Sequence, residues 1–235
     1  MFNDNRQHTL DERTYLDLVY QHEFVHQLNV KARLYYDRYY YKAHLPYDYA
    51  GTGTPPFTLN KDVTEADWWG TELTATKRLF EQHKVTLGTE YRDQFRLNQS
   101  NGDINPTATY LDDKRRSSLI AAYLQDEWAI TNHIVLNIGV RHDQYSTFGG
   151  TTNPRAGLIS TWDKTTVKLL YGQAFRAPNP FEQFYVTGST LKDNPHIKPE
   201  KIKTYELVVE QYVGDHVRAL GSLYQYDISG LLIFT

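Results

Sequence analysis

Strict alternation of apolar and polar side chains dominates this sequence and leaves few folds open to it. Between Lys84 and Asn98, apolar residues recur on one face of an extended chain and polar residues on the other. A β-strand sends successive side chains to opposite sides, so such a segment has one apolar and one wet face. The same alternation recurs around Leu73, Ile138 and Leu169. The pattern predicts an all-β, antiparallel protein.

About ten strands are predicted from this periodicity, joined by alternately short and long connections. The strands lie near residues 14–22, 27–44, 65–79, 84–98, 116–130, 134–147, 153–162, 165–175, 203–212 and 217–229. Long connections are expected at Leu45–Thr64, Gln99–Arg115 and Arg176–Ile202, with a modest one at Phe148–Thr152. Short turns at one end and long loops at the other are typical of outer-membrane barrels.

Charges on the polar faces favour a transmembrane barrel over a soluble sandwich. In the strand at 84–98, Glu90, Arg92 and Arg96 share the polar face, and Leu97 belongs to the apolar one. A water-filled lumen accepts such charges, whereas the thin interior of a sandwich does not. Several strands also exceed the usual length of about five or six residues. A soluble β-sheet binding protein remains the alternative within this fold class.

Composition removes several classes of function. The chain of 235 residues has a net charge of -3, so it lacks the basic surface that nucleic-acid binding requires. It contains no cysteine, which excludes disulfides, thiol catalysis and thiolate metal sites. The sequence has no run of about 18 apolar residues that would predict a membrane-spanning helix. Tyr occurs 19 times and Met once, which favours strands whose rings lie at a wet boundary.

One motif points to different chemistry. His22-Glu23-x-x-His26 matches H-E-x-x-H, which on a helix binds zinc and supplies a general base. The segment falls where a hairpin turn belongs, however, and Asn29 stands in the place of the Gly in the extended three-histidine motif. A zinc metallopeptidase is therefore the alternative function. The main expectation is a protein that is not an enzyme and that uses no metal or cofactor.

Two boxes in the last third of the chain resemble those of TonB-dependent outer-membrane receptors. The residues that carry the resemblance are Phe175, Arg176, Ala177 and Pro178 in the first box, and Asn194, Pro195, Pro199 and Glu200 in the second. Segments 122–128, 136–143, 153–158 and 204–207 are also similar to this family. The first 115 residues resemble this family only in their general pattern and contain no matching motif.

The resemblance implies a fold, a location and partners. The family's barrel has about 22 strands around a plug domain, and it takes up ferric siderophores, cobalamin or haem with energy from the inner-membrane TonB complex. No plug, coupling box or leader peptide is recognised in the sequence. We therefore expect residues 1–235 to be a partial barrel domain in the outer membrane of a Gram-negative bacterium. Its expected partners are membrane lipid, the missing strands and plug, the TonB complex and the ligand, with no nucleic acid.

The resemblance also assigns roles to single residues. The boxes are expected to be barrel architecture, with Arg176 on the polar face, Phe175 towards lipid and Pro178 ending its strand. Ligand contacts are expected from aromatic residues of the long loops, which grip large ligands through their ring faces. These residues are Tyr47, Tyr49, Phe57, Phe181, Phe184 and Tyr185. Haem ranks below siderophore and cobalamin, because no His lies between the boxes and His196 lies within the second.

Overall fold

A computed structural model describes residues 4–54, 57–186, 192–214 and 216–232. Ten antiparallel strands form a single sheet in which each strand pairs with its neighbours in the sequence. The strands are β1 (His8–Phe24), β2 (Leu28–Tyr47), β3 (Thr58–Leu79), β4 (His83–Ile104), β5 (Thr107–Thr131), β6 (Ile134–Tyr145), β7 (Gly149–Trp162), β8 (Thr165–Arg176), β9 (Glu200–Val213) and β10 (Val217–Ser229). A short helix, α1 (Pro180–Phe184), lies between β8 and β9. The predicted ten-stranded antiparallel meander is confirmed.

One face of the sheet, here called the outer face, carries a continuous row of apolar side chains. Leu158 of β7 pairs with Leu169 of β8, which pairs with Leu207 of β9 and then with Leu223 of β10. These side chains are not buried within the chain, and Leu169 is 52% exposed. Such a band is what the lipid-facing wall of a transmembrane barrel requires.

Aromatic side chains border this apolar band at two levels. Trp69 and Tyr91 contact each other at one level, with ring centroids 5.5 Å apart. At the other level, beside the short turns, His83 stacks on Trp128 at 5.2 Å. The eight steps from residue 83 to residue 91 cover about 26 Å of strand, or about 20 Å along a barrel axis at a tilt of about 40°. That height is close to the apolar band of an outer-membrane barrel, about 25 Å.

The opposite face, here called the inner face, carries charges that neutralise one another. Arg141 of β6 reaches Glu90 of β4 at 2.6 Å and Asp143 at 2.8 Å. Arg33 of β2 reaches Glu72 of β3 at 3.0 Å. Ion pairs of this kind are expected where a strand wall lines a polar lumen rather than a packed apolar core.

A β-bulge in β4 reverses the two faces halfway along the strand. The ladder to β3 shifts by one residue between Asp93 and Arg96, and the ladder to β5 shifts between Gln94 and Leu97, because β4 contains one extra residue there. Beyond the bulge Leu97 points inward and is 9% exposed, while Arg96 points outward and reaches Asp67 at 3.1 Å. The prediction that Arg96 shares a face with Glu90, and that Leu97 is on the apolar one, is therefore wrong. Strict period-two counting fails once an extra residue enters a strand.

The long connection predicted over Gln99–Arg115 is also wrong, since only two residues separate β4 from β5. At this end of the sheet, hydrogen bonds between polar side chains, and not apolar contacts, connect neighbouring strands. The Asn60 amide donates to Asn101 and to Asp103, each at 3.1 Å. A ladder with polar residues on both faces lacks the apolar alternation from which strands are predicted. β7 likewise begins at Gly149, inside the connection predicted at Phe148–Thr152.

Two longer loops remain at one end of the sheet, at residues 48–57 and 177–199. The opposite end has only short connections, including the single turn of 3-10 helix at Val25–Gln27. Within the described residues, no helical segment has both the length and the apolar character of a membrane span. The described parts of the loop at 177–199, residues 177–186 and 192–199, include segments that contact the inner face and position the candidate site.

The two faces predict opposite tolerances to charge at neighbouring positions of β8. We expect Leu169→Arg to destabilise the complete protein in lipid by about 2–4 kcal/mol, the cost of arginine at the bilayer midplane. Leu170→Arg is the matched control, because Leu170 lies on the inner face opposite Glu206 and the new charge is solvated there. Urea unfolding in phospholipid vesicles measures both variants. Equal destabilisation by the two substitutions would contradict the assignment of the faces.

Candidate functional site

An ion-pair clamp closes the base of the loop at 177–199. Arg176, the last residue of β8, lies opposite Glu200, the first residue of β9. Its Nε donates to the Glu200 carboxylate at 2.7 Å, and its Nη1 donates to Glu182 at 2.8 Å. Glu200 also accepts the backbone N–H of Leu232 at 2.9 Å. The two boxes identified in the sequence thus meet at this clamp.

Helix α1 begins with a complete capping box. The Asn179 side chain accepts the backbone N–H of Glu182 at 2.9 Å, and the Glu182 carboxylate accepts the backbone N–H of Asn179 at the same distance. Pro180 occupies the first turn, where its missing N–H costs nothing. The sequence signal Asn-Pro-x-Glu was available for this helix, but the prediction of a plain connection over Arg176–Ile202 overlooked it.

The residues that end α1 are buried against the inner face. Gln183 is 2% exposed, Phe184 9% and Tyr185 7%. The Tyr185 hydroxyl donates to the Asp62 carboxylate at 2.6 Å and accepts from the Asn101 amide at 2.9 Å. Burial first, and then the Asp62 carboxylate, raise the pKa of Tyr185, so its hydroxyl stays protonated and remains a donor. The Tyr185 hydroxyl therefore links the loop to both β3 and β4.

The three predicted aromatic residues of this loop have different surroundings. The guanidinium carbon of Arg115 lies over the Phe184 ring, 3.5 Å from the ring centroid, in a cation–π contact. Phe181 is 44% exposed, and its ring lies 4.4 Å from that of Tyr185. Phe184 and Tyr185 thus attach the loop to the wall, whereas Phe181 presents part of its ring to solvent.

The other predicted aromatic residues lie in and beside the loop at 48–57. Tyr47 and Tyr49 stack on each other at 5.6 Å and are 42% and 64% exposed. Phe57 lies beneath the Arg6 guanidinium, 5.4 Å from it. The Tyr49 hydroxyl interacts with Asp103, which belongs to the same polar network as Tyr185. The structure therefore places Tyr49 and Tyr185 on one network of polar side chains.

One position expected for the box residues, that of Phe175 towards lipid, differs from what the structure shows. β8 ends at Arg176, two residues before Pro178, as the missing proline N–H predicts. Phe175 does not face lipid, however, because its ring contacts Tyr145 at 5.9 Å and Phe148 at 6.4 Å on the inner side. Pairing between β7 and β8 stops at Gly172, which leaves space for the ring to turn between the two strands.

The second box forms the return path of the loop. The Asn194 backbone N–H donates to the Gln183 carbonyl at 2.8 Å, which joins this box to α1. Pro195 and the exposed His196 form a turn, closed by the Ile197 N–H on the Asn194 carbonyl at 3.2 Å. Pro199 lies directly before β9, and Ala177 connects β8 to the capping box. Residues of both boxes therefore lie at the base and on the return path of this loop.

The H-E-x-x-H segment does not form a zinc site. His22 and Glu23 lie in β1, while His26 lies in the following turn with a left-handed φ of 61°. The His22 ring packs against Phe24 at 4.4 Å and Tyr20 at 6.3 Å. No cluster of three or more His, Cys, Asp or Glu side chains suited to a metal occurs in the part of the chain that the structure describes. The alternative prediction of a zinc metallopeptidase is wrong.

The family model described as TonB dependent receptor-like, beta-barrel matches residues 1–235. The chain belongs to the TonB-dependent receptor family. Members of this family are receptors and transporters, so the prediction of a protein that is not an enzyme is confirmed. Proteins of this family are β-barrels of the Gram-negative outer membrane. A comparison with curated proteins finds no match.

Solved structures of such receptors share the fold of this chain. The ferric enterobactin receptor PfeA of Pseudomonas aeruginosa has a TM-score of 0.74 at 15% identity, covering 94% of this chain and 35% of its own. The siderophore receptor PirA of Acinetobacter baumannii scores 0.70 at 19% identity, with coverage of 94% and 35%. The pyoverdine receptor FpvA of Pseudomonas aeruginosa scores 0.72 at 14%, with coverage of 94% and 36%. This chain therefore spans about a third of the length of each of these receptors.

The attachment of the loop through Tyr185 can be tested by removing one oxygen atom. We expect Tyr185→Phe to lower the local stability of α1 by about 1–3 kcal/mol, because the buried Asp62 and Asn101 groups lose their partner. Hydrogen exchange at the Gln183 and Tyr185 amides of the complete receptor measures this change. Tyr47→Phe is the matched control, since Tyr47 is 42% exposed. Unchanged protection in Tyr185→Phe would show that the loop does not depend on this phenol.

Proposed function

We propose that this chain forms part of the barrel wall and outer mouth of a receptor that imports a bulky nutrient, such as a ferric siderophore or cobalamin. The observation that carries the proposal is the loop at 177–199, clamped by Arg176 and Glu200 and folded over a charged inner face. A wall that is apolar outside and charged inside fits a receptor in the outer membrane of a Gram-negative bacterium. The longer loops belong on the extracellular side, where the ligand arrives.

The open edges of the sheet support a larger barrel than the ten strands described. Among the described strands, β1 pairs only with β2, and β10 pairs only with β9. An unpaired backbone group in hydrocarbon costs several kcal/mol, so both edges require further strands. We therefore assign residues 1–235 to a partial barrel domain, which the rest of the receptor closes and fills with a plug. Energy from the TonB complex would reach the ligand through that plug, and this chain alone would not transport.

The aromatic residues divide into ligand contacts and supports. Tyr47, Tyr49 and Phe181 expose ring surface at the mouth, so they are the proposed ligand contacts. Phe184 and Tyr185 are buried and hold the loop in place. The named neighbours include receptors for enterobactin and pyoverdine and a copper transporter. Because these neighbours are named for different ligands, the ligand of this receptor has to be identified from the residues of this chain.

Haem is the least favoured of the family's ligands for this receptor. The sequence contains no histidine between Arg176 and Asn194 that could bind haem iron. His196 is exposed in the turn of the second box. A ferric siderophore or cobalamin needs no such axial ligand.

Alanine substitution in the complete receptor tests the proposed ligand contacts. We expect the triple variant Tyr47→Ala, Tyr49→Ala and Phe181→Ala to weaken binding by about 1 kcal/mol per ring, because ring-face contacts are lost. Binding of ferric siderophores and cyanocobalamin is measured by fluorescence quenching, alongside growth on the same iron sources. Tyr20→Ala is the control, because Tyr20 is 60% exposed near the short-turn end. If the triple variant binds as the unmodified receptor does, these rings are not ligand contacts.

A further inference from the structure

Two opposite charges lie on the outer face of the sheet near its short-turn end. Lys77 of β3 is opposite Val85 of β4, and Val85 is opposite Asp126 of β5. Residues directly opposite each other on neighbouring strands point to the same face of a sheet. Neighbouring strands are about 4.8 Å apart, so the backbones of Lys77 and Asp126 are about 10 Å apart along this row. The row therefore presents an ammonium and a carboxylate at a spacing that a small zwitterion can bridge.

These charges are exceptions on this part of the wall, because the described outer-face positions from this row up to the aromatic level are otherwise uncharged. Those positions are Thr71, Leu73 and Ala75 on β3, Leu87, Thr89 and Tyr91 on β4, and Ile120, Ala122 and Leu124 on β5. A charge on a lipid-facing strand costs most at the bilayer midplane and little near the interface. Both charges lie one row above the stacked His83 and Trp128, which places them at the boundary between hydrocarbon and headgroups.

His83 connects the two charges of this row. Its Nδ1 lies 2.7 Å from Oδ2 of Asp126, and its ring stacks on Trp128, so Nε2 is the ring nitrogen available to a further partner. The other carboxylate oxygen of Asp126, Oδ1, has no hydrogen-bond partner among the described residues, although the side chain is 24% exposed. Shielded polar atoms in folded proteins are nearly always hydrogen-bonded. Rotation about the last side-chain bond exchanges the two oxygens, so this carboxylate can accept a donor that arrives from the lipid side.

The missing parts of the receptor cannot supply that donor. Strands β3, β4 and β5 each pair on both sides with described strands, so no further strand of the barrel lies beside them. A plug fills the lumen and therefore meets only the inner face. The outer face of a barrel meets lipid, and its short-turn end lies at the periplasmic boundary of the membrane. The partner of this row is therefore a lipid headgroup of the periplasmic leaflet.

We infer that Lys77, His83 and Asp126 bind the headgroup of a phospholipid that carries both a phosphate and a primary ammonium, as phosphatidylethanolamine does. The lipid phosphate accepts from the Lys77 ammonium and from His83 Nε2, and the lipid ammonium donates to the Asp126 carboxylate. An anionic headgroup is repelled by Asp126, and a choline headgroup has no N–H to donate, so the row selects against both. This inference goes beyond the proposed function and rests only on the outer face meeting lipid.

The test measures the lipid selectivity of the complete receptor in detergent by native mass spectrometry. The probes are phosphatidylethanolamine, phosphatidylcholine and phosphatidylglycerol with identical palmitoyl and oleoyl chains. We expect the unmodified receptor to bind phosphatidylethanolamine most tightly, because only this headgroup complements both charges. Lys77→Gln with Asp126→Asn should lower that affinity about tenfold or more, to the level of phosphatidylcholine. His83→Phe keeps a ring on Trp128 but removes the ring nitrogens, and it should lower the affinity by a smaller factor.

Matched substitutions on the inner face separate this site from a general effect of charge. Arg78 and Glu127 directly follow Lys77 and Asp126 in the sequence, and both lie opposite Lys84. Pleating turns these two residues to the inner face, away from lipid. We expect Arg78→Gln with Glu127→Gln to keep the preference for phosphatidylethanolamine. Because the three lipids are compared on one protein, a partial loss of folded receptor lowers all three signals and leaves their ratio unchanged.

Equal affinity of the unmodified receptor for phosphatidylethanolamine and phosphatidylcholine would overturn the inference. Tighter binding of phosphatidylglycerol would also overturn it, because Lys77 alone would then select an anionic headgroup. So would an unchanged preference in the Lys77 and Asp126 double variant, since the lipid would then bind elsewhere. If the double variant gives no folded receptor, the lipid ratio of His83→Phe decides: a lowered ratio supports the site, and an unchanged ratio overturns it. Binding of ferric siderophores and cyanocobalamin to the same protein tests the proposed function separately.

Discussion

Hydrocarbon offers no hydrogen-bond partner to a peptide group, and the architecture of this chain depends on that constraint. Each of the eight strands from β2 to β9 pairs on both sides with its sequence neighbours, and where both ladders run its N–H and C=O groups are satisfied within the sheet. The strands β1 and β10 are paired on one side only, which makes them the places where the rest of a barrel must join. A wall with an apolar outer face and a charged inner face can be stable in the membrane only once the backbone groups of these two edge strands are also paired.

The bulge in β4 connects the membrane-spanning part of the wall to the candidate site. Below it, Glu90 belongs to an inner-face cluster whose charges are compensated. Above it, the reversed faces bring Gln99 and Asn101 inward, where they bond to the carbonyl of Pro180 and to the Tyr185 hydroxyl. One extra residue thus converts the upper half of the strand into a platform for the loop. Arg92 lies just below the bulge and lines the cavity between the wall and the loop, together with Tyr145.

Period-two alternation predicted the number, order and pairing of the strands, because pleating imposes that period wherever one face meets lipid. It failed at Leu97, since a bulge leaves no mark in the period, and over residues 99–115, where the ladder is polar on both sides. The two boxes drew attention to Arg176 and Glu200, which form an ion pair at the base of the loop. The burial of Tyr185 could not be predicted, because its partner Asp62 lies 123 residues away in the sequence.

The central claim is that β4 presents alternate residues to lipid and to the lumen up to the bulge. Single cysteines at positions 85 to 91 can each carry a fluorescent label in a complete receptor whose other cysteines, outside this cysteine-free chain, have been replaced. Quenching by brominated lipid acyl chains then measures contact with hydrocarbon. The structure predicts strong quenching at Val85, Leu87 and Thr89, and weak quenching at Thr86, Gly88 and Glu90. Uniform quenching along the segment, or alternation of the opposite parity, would contradict the account.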